Sequence, residues 1–216
     1  MKRTLALLFA FVCMVNLVKG QTDPKAKAIL DEVSKKYRSY TNIKADFTFS
    51  IENKQNNLKQ TDKGTIYARA NSKKYKVTMA ERDLISDGKV QWTYLKNDDE
   101  VQISAADNSE DALNPANVFT LFEKGFKYIY NGERKVGNKV YQMIDLSPVD
   151  TKKPYYKIRL SIDKATKQLS NALIFDKNSS TYTYSISGFV PNAKVPESTF
   201  MFNAKSYPGV EVVDLR

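Results

Sequence analysis

The 216-residue sequence contains no histidine, and its single cysteine, Cys13, lies within an apolar stretch close to the N-terminus. A Ser-His-Asp triad, an imidazole proton shuttle and a histidine-based zinc site are therefore excluded. A cysteine nucleophile is excluded too once that stretch is removed. Paired carboxylates and Ser-Lys chemistry stay open, but no spacing singles out either. No catalytic residue, metal ligand or cofactor is expected. What recurs at regular spacing is a set of large apolar side chains: Phe47, Phe49 and Ile51; Tyr75, Val77 and Met79; Trp92 and Tyr94; Ile158 and Leu160; Tyr182 and Tyr184. Such a set either solvates an apolar ligand or fills the protein's own core, and periodicity alone leaves the two outcomes close to even.

These residues sit in segments that alternate apolar with polar, the signature of antiparallel strands with one dry face and one wet face. Turn residues separate the segments: Asn56-Asn57, Asp87-Gly88, Asn97-Asp98-Asp99, Gly137-Asn138 and Lys177-Asn178-Ser179. About ten or eleven strands are expected, and a twisted sheet of that width tends to curl over its apolar face. Ahead of the strands, Asp23 reads as an N-cap and Pro24 as the first residue of a helix. Ala26, Ile29, Leu30, Val33 and Tyr37 recur there at helical spacing as far as about Tyr40. A second, short helix is expected from Pro115 to Glu123, where Val118, Phe119, Leu121 and Phe122 crowd together before Gly125. Successive residues turn about 100° around a helix, so these four cannot share one surface. The helix is then either a fixed plug or a movable lid. The fold expected is mainly β, with two or three helices.

The first twenty residues read as a signal peptide. Lys2 and Arg3 precede an apolar run from Leu5 to Val18, and Val18-Lys19-Gly20 suits cleavage after Gly20. The run falls short of the ~20 residues that span a bilayer, and Cys13 lies mid-run rather than at a lipidation site. Residues 21–216 are expected to form one domain. Removing Lys2, Arg3 and Lys19 lowers the net charge from +10 to +7. The remaining lysines are scattered, as on a solvated surface or one drawn to an anionic membrane or acidic partner, and no nucleic-acid partner is expected.

One stretch, Leu84 to Tyr94, resembles a segment of the LolA family of outer-membrane lipoprotein carriers, in which a strand ending in Ser-Asp-Gly-Lys turns into one bearing Trp and Tyr. Ala45-Asp46-Phe47-Thr48 is similar to that family's first strand, and Lys63-Gly64-Thr65-Ile66-Tyr67 to its next. Phe200-Met201-Phe202 and the run from Pro208 to Arg216 are similar to its C-terminal end. The likeness crosses nearly the whole of residues 21–216 in matching order. It implies an unclosed β-barrel under a helical lid, with a hydrophobic cavity for acyl chains. It also implies residence in the periplasm of a Gram-negative bacterium and a monomer that carries acylated lipoproteins. They would come from an inner-membrane ABC transporter and go to an outer-membrane acceptor. Under that resemblance the apolar set above, with Ile66 from the sheet and Val118, Leu121 and Phe122 from the lid, lines the cavity. Family members often carry an Arg-Pro pair after the strand matching Gly64–Ala68. Here Arg69 is followed by Ala70, and Arg69 is carried over as a lid contact. The competing readings are a lipid-sensing envelope regulator on the same fold and a structural envelope protein with a solid core.

Overall fold

A computed structural model describes residues 23–107 and 119–216. The proposed signal peptide lies outside the described residues. The described chain opens with an α-helix, α1 (Pro24–Arg38). The Asp23 carboxylate caps it by accepting from the backbone amides of Lys25 and Ala26, and Pro24 occupies the first turn. The same carboxylate accepts from the Tyr130 amide, which helps hold its pKa below the usual range. The cap thus ties the start of the helix to the sheet.

Twelve strands follow: β1 (Asn42–Asn53), β2 (Leu58–Arg69), β3 (Tyr75–Met79), β4 (Arg82–Ser86), β5 (Val90–Leu95), β6 (Glu100–Ala105), β7 (Phe126–Val136), β8 (Lys139–Pro148), β9 (Tyr155–Asp163), β10 (Leu169–Asp176), β11 (Ser180–Pro191) and β12 (Glu211–Asp214). They form one sheet in the order β12-β6-β5-β4-β3-β2-β1-β11-β10-β9-β8-β7. Every pairing is antiparallel except the parallel contact of β12 with β6. β12 and β7 are the two edges, so the sheet curls without closing. The expected turns all lie between consecutive strands. Among the described residues, the two or three expected helices reduce to α1 and short 3₁₀ turns at Leu121–Glu123, Glu197–Phe200 and Ala204–Ser206. Residues 115–118 of the expected second helix lie outside the described residues. The Leu121–Glu123 end of it makes only a single tight turn.

The buried stripe of α1 (Ala26, Ile29, Leu30, Val33, Tyr37) packs in one cluster with Ile144 and Leu146 of β8, Ile158, Leu160 and Ile162 of β9, and Leu169 of β10. The Tyr37 hydroxyl accepts from the Leu169 amide at 3.1 Å, and burial pushes that phenol well above its usual pKa. The other face of the sheet is covered across β3 to β6. There the C-terminal segment packs on β3 and β4, and Ile85, Val101 and Phe200 are fully buried. Tyr207 packs its ring on Tyr94 (4.8 Å between centroids) and on Phe202 (5.0 Å). Glu197 pins this segment through ion pairs with Arg69 and Lys74, and the Arg69 guanidinium lies 5.4 Å from the centre of the Phe200 ring.

Lys74 and Arg69 hold the Glu197 carboxyl below its ordinary value of 4.5. Their contribution is therefore present above the unfolded pKa and is lost as pH falls through the lowered folded value. Glu197→Gln should speed amide exchange in residues 197–214 at neutral pH while α1 and β9 stay protected. The unmodified protein should show the same loosening only in acid. Equal protection of that segment in both proteins at neutral pH would show that the ion pairs do not hold it.

Candidate functional site

The concave face encloses an apolar cavity of about 380 Å³. One wall comes from Ala45, Phe47 and Phe49 of β1, Ile66 of β2, Tyr75, Val77 and Met79 of β3, and Leu84 of β4. Tyr184 and Ile186 of β11, paired beside Phe49 and Phe47, continue the wall into Leu169, Ala172 and Ile174 of β10 and Ile158 and Leu160 of β9. Gly64 makes room for this packing: a Cβ there would lie 2.6 Å from both Phe47 Cζ and the Thr78 carbonyl oxygen. Phe119 shuts one end. Its ring stacks on Tyr37 at 4.5 Å between centroids and meets Phe189 edge-on at 6.0 Å. At the opposite end the cavity runs out past Phe49 to Arg82, which is exposed.

Few polar groups interrupt the lining. The Tyr75 hydroxyl donates to Gln91 Oε1 at 2.6 Å, so each satisfies the other inside the cavity. Burial pushes the Tyr75 phenol up to about 12, and it raises Tyr184 as well, helped by the neighbouring Tyr182. Both hydroxyls therefore stay neutral at ordinary pH. The volume lies at the low end of the ~300–1,000 Å³ typical of ligand sites, and the apolar lining with few polar groups is typical of them too.

Phe47, Phe49, Ile66, Tyr75, Val77, Met79, Ile158, Leu160 and Tyr184, chosen from sequence, all meet around this cavity. Ile51 and Tyr182 pair with each other on the same face but lie beyond it, one step outward from Phe49 and Tyr184. Trp92 and Tyr94 require correction. Thr93 pairs with Leu84, which faces the cavity, so Trp92 and Tyr94 face the other way, towards Ile85 and the C-terminal segment. Alternation in β5 marks one apolar face, but here that face is dried by the C-terminal cover, and Gln91 is the residue that looks inward. Phe122 is buried away from the lining, where its carbonyl accepts from the Tyr128 hydroxyl at 2.7 Å. Val118 and the Leu121 side chain lie outside the described residues. Arg69 goes to Glu197 and Phe200 rather than to the 119–123 turn.

Sequence reasoning missed Ala45, Leu84, Phe119, Leu169, Ala172, Ile174 and Ile186, together with the polar Arg82 and Gln91. Extending the alternation of each strand by one more step would have found Ala45 and Ile186. No local signal marks Arg82 or Gln91 as inward.

The chain is thus an open, almost wholly antiparallel sheet curled around an apolar chamber. The family model of the outer membrane lipoprotein carrier protein LolA matches residues 38–203, and the chain belongs to that family. Membership supports a lipoprotein-binding role. No curated protein matches the sequence. Among solved structures, an uncharacterized conserved protein from Thermus thermophilus is 14% identical with a TM-score of 0.59, over 88% of this chain and 99% of that one. A putative outer membrane lipoprotein-sorting protein domain from Vibrio parahaemolyticus is 12% identical with a TM-score of 0.47, over 82% and 96%. A LolA superfamily protein from Nitrosomonas europaea is 9% identical with a TM-score of 0.44, over 82% and 97%. At 14% identity the first of these likenesses is one of fold alone.

The raised Tyr75 pKa sets a pH window. The buried neutral phenol is favoured up to about 12, against 10.0 when unfolded, so its contribution is complete below pH 10 and is lost as pH rises towards 12. Denaturant titrations from pH 9 to 11.5 should show a smaller alkaline loss of stability in Tyr75→Phe than in the unmodified protein. Identical losses would mean that this phenol does not titrate in the folded state as its burial requires.

Proposed function

We propose that this protein is a periplasmic carrier, exported by cleavage after Gly20. It receives lipoproteins from an inner-membrane ABC transporter, shelters their acyl chains, and passes them as a monomer to an outer-membrane acceptor. The observation that carries this reading is the apolar chamber between β1–β4 and β9–β11, shut at the Phe119 end and open at the Arg82 end. Membership of a family of lipoprotein carriers supports it.

The physical need is large. At ~0.8 kcal/mol for each buried methylene, three chains of about 15 methylenes resist transfer through water by on the order of 36 kcal/mol. A volume of about 380 Å³ takes about one such chain, so a full load requires the chamber to widen. In this reading residues 115–123 act as the lid. Phe119 touches both the chamber and α1, and separating its ring from Tyr37 enlarges the site. No nucleotide is needed for release if the acceptor binds the chains more tightly.

Trp92 is the single tryptophan, and it faces away from the chamber. A variant carrying Trp92→Phe and Phe49→Trp moves the reporter to the cavity wall. Brominated palmitate should quench it saturably while leaving Trp92 of the unmodified protein almost unchanged. If the relocated tryptophan is quenched no better than by free bromide, the chamber does not take acyl chains and the proposal fails.

A further inference from the structure

The chamber does not end at bare solvent. Met79 and Arg82 line both it and an adjoining polar groove of about 260 Å³, whose other walls include Asp62, Glu81 and Asp98. Arg82 is the only cation among the described residues lining either space. Its guanidinium makes no hydrogen bond or ion pair with any described residue, and its charge reaches the Tyr184 hydroxyl inside the chamber. The neighbouring cations are committed elsewhere: Lys96 bonds Asp83 at 2.8 Å and the Met79 carbonyl at 2.6 Å, and Lys76 also faces Asp83. The path from inside to outside therefore reads apolar wall, the Arg82 guanidinium, then carboxylates.

Resting on the reading of the chamber as an acyl-chain site, we infer that chamber and groove together bind an amphiphile with a zwitterionic head of phosphoethanolamine type. The alkyl chain lies against Phe47, Met79 and Leu84. The phosphate, which adjoins the chain in such lipids, meets Arg82, whose planar fork suits two phosphate oxygens at once. The terminal ammonium then falls among Asp62, Glu81 and Asp98. A head carrying only negative charge gains the arginine but meets those three carboxylates beyond it. An uncharged head gains neither. The order of charges along the path selects the zwitterion, because reversing phosphate and ammonium would set like against like at both positions.

Three ligands with the same sixteen-carbon chain separate the contributions: palmitoyl lysophosphatidylethanolamine, palmitoyl lysophosphatidylglycerol and hexadecanol. Each competes, below its micelle concentration, against a neutral fluorescent naphthylamine bound to the intact protein. A charge-assisted contact to phosphate should make the ethanolamine lipid bind about tenfold tighter than hexadecanol, with the glycerol lipid between them. Arg82→Gln should bring the ethanolamine-to-hexadecanol ratio close to one, and Asp62→Asn with Glu81→Gln should erase the preference for ethanolamine over glycerol. Equal affinities for all three in the unmodified protein, or a ratio unmoved by Arg82→Gln, would overturn the head-group site while leaving the chamber standing. Tighter binding of the glycerol lipid would remove the carboxylates from the account and with them the zwitterion. Failure of hexadecanol itself to displace the probe would bring down the acyl-chain reading on which the inference rests.

Discussion

The structure depends on a mismatch between the width of an apolar sheet face and what is available to cover it. A sheet of twelve strands that presents one dry face must bury that face. Among the described residues one α-helix serves this purpose, and its stripe from Ala26 to Tyr37 joins one buried cluster with residues of β7 to β10 while Tyr37 reaches Phe189 of β11. Over β1 to β4 no helix lies among the described residues. There the sheet answers by curling until Met79 and Leu84 share one chamber with Ile158 and Ile174, residues of strands that are not neighbours in the sheet. Curling brings the walls close without making them touch, and the chamber is the space left over. Cavity, curvature and open edge are three results of one shortage.

An apolar chamber of this kind is stable to keep and favourable to fill. Its walls lack packing partners on one side, which forfeits dispersion contacts, and apolar cavities hold water poorly. A hydrocarbon chain restores the contacts and removes apolar surface from water at about 25 cal/mol per Å². The Tyr75–Gln91 hydrogen bond pairs the Tyr75 hydroxyl with Gln91 Oε1 within the inner wall. Around Phe119, Tyr37 and Phe189 the aromatic stacking closes the inner end by ring contacts that can separate without breaking a strand pairing. At the other end Arg82 stands at the boundary between oil and water.

Most of the strands were legible in the sequence because alternation and turn residues agree with each other along the chain. The cavity wall was legible where the outward residues are polar, as in β1 and β3, since the apolar set is then the inward set. It misled in β5. There Trp92 and Tyr94 are apolar because the C-terminal segment covers them from outside, while the inward positions carry Gln91 and Thr93. Nothing local announces that cover, which depends on Phe200 and Tyr207 more than a hundred residues later. Arg69 misled for the same reason: its partner, Glu197, belongs to the covering segment and is invisible to local spacing. Arg82 was passed over because an exposed arginine in a strand reads as surface, and only the curl of the sheet places it at the mouth.

The central claim is that the chamber holds the acyl chains of lipoproteins in transit. Native mass spectrometry of the protein purified from its own cell envelope under mild conditions tests this most directly. A population carrying the added mass of an acylated polypeptide, which falls away on activation in the gas phase, is the result the account predicts. A spectrum holding only the unliganded chain, from cells in which lipoproteins are reaching the outer membrane, would contradict it.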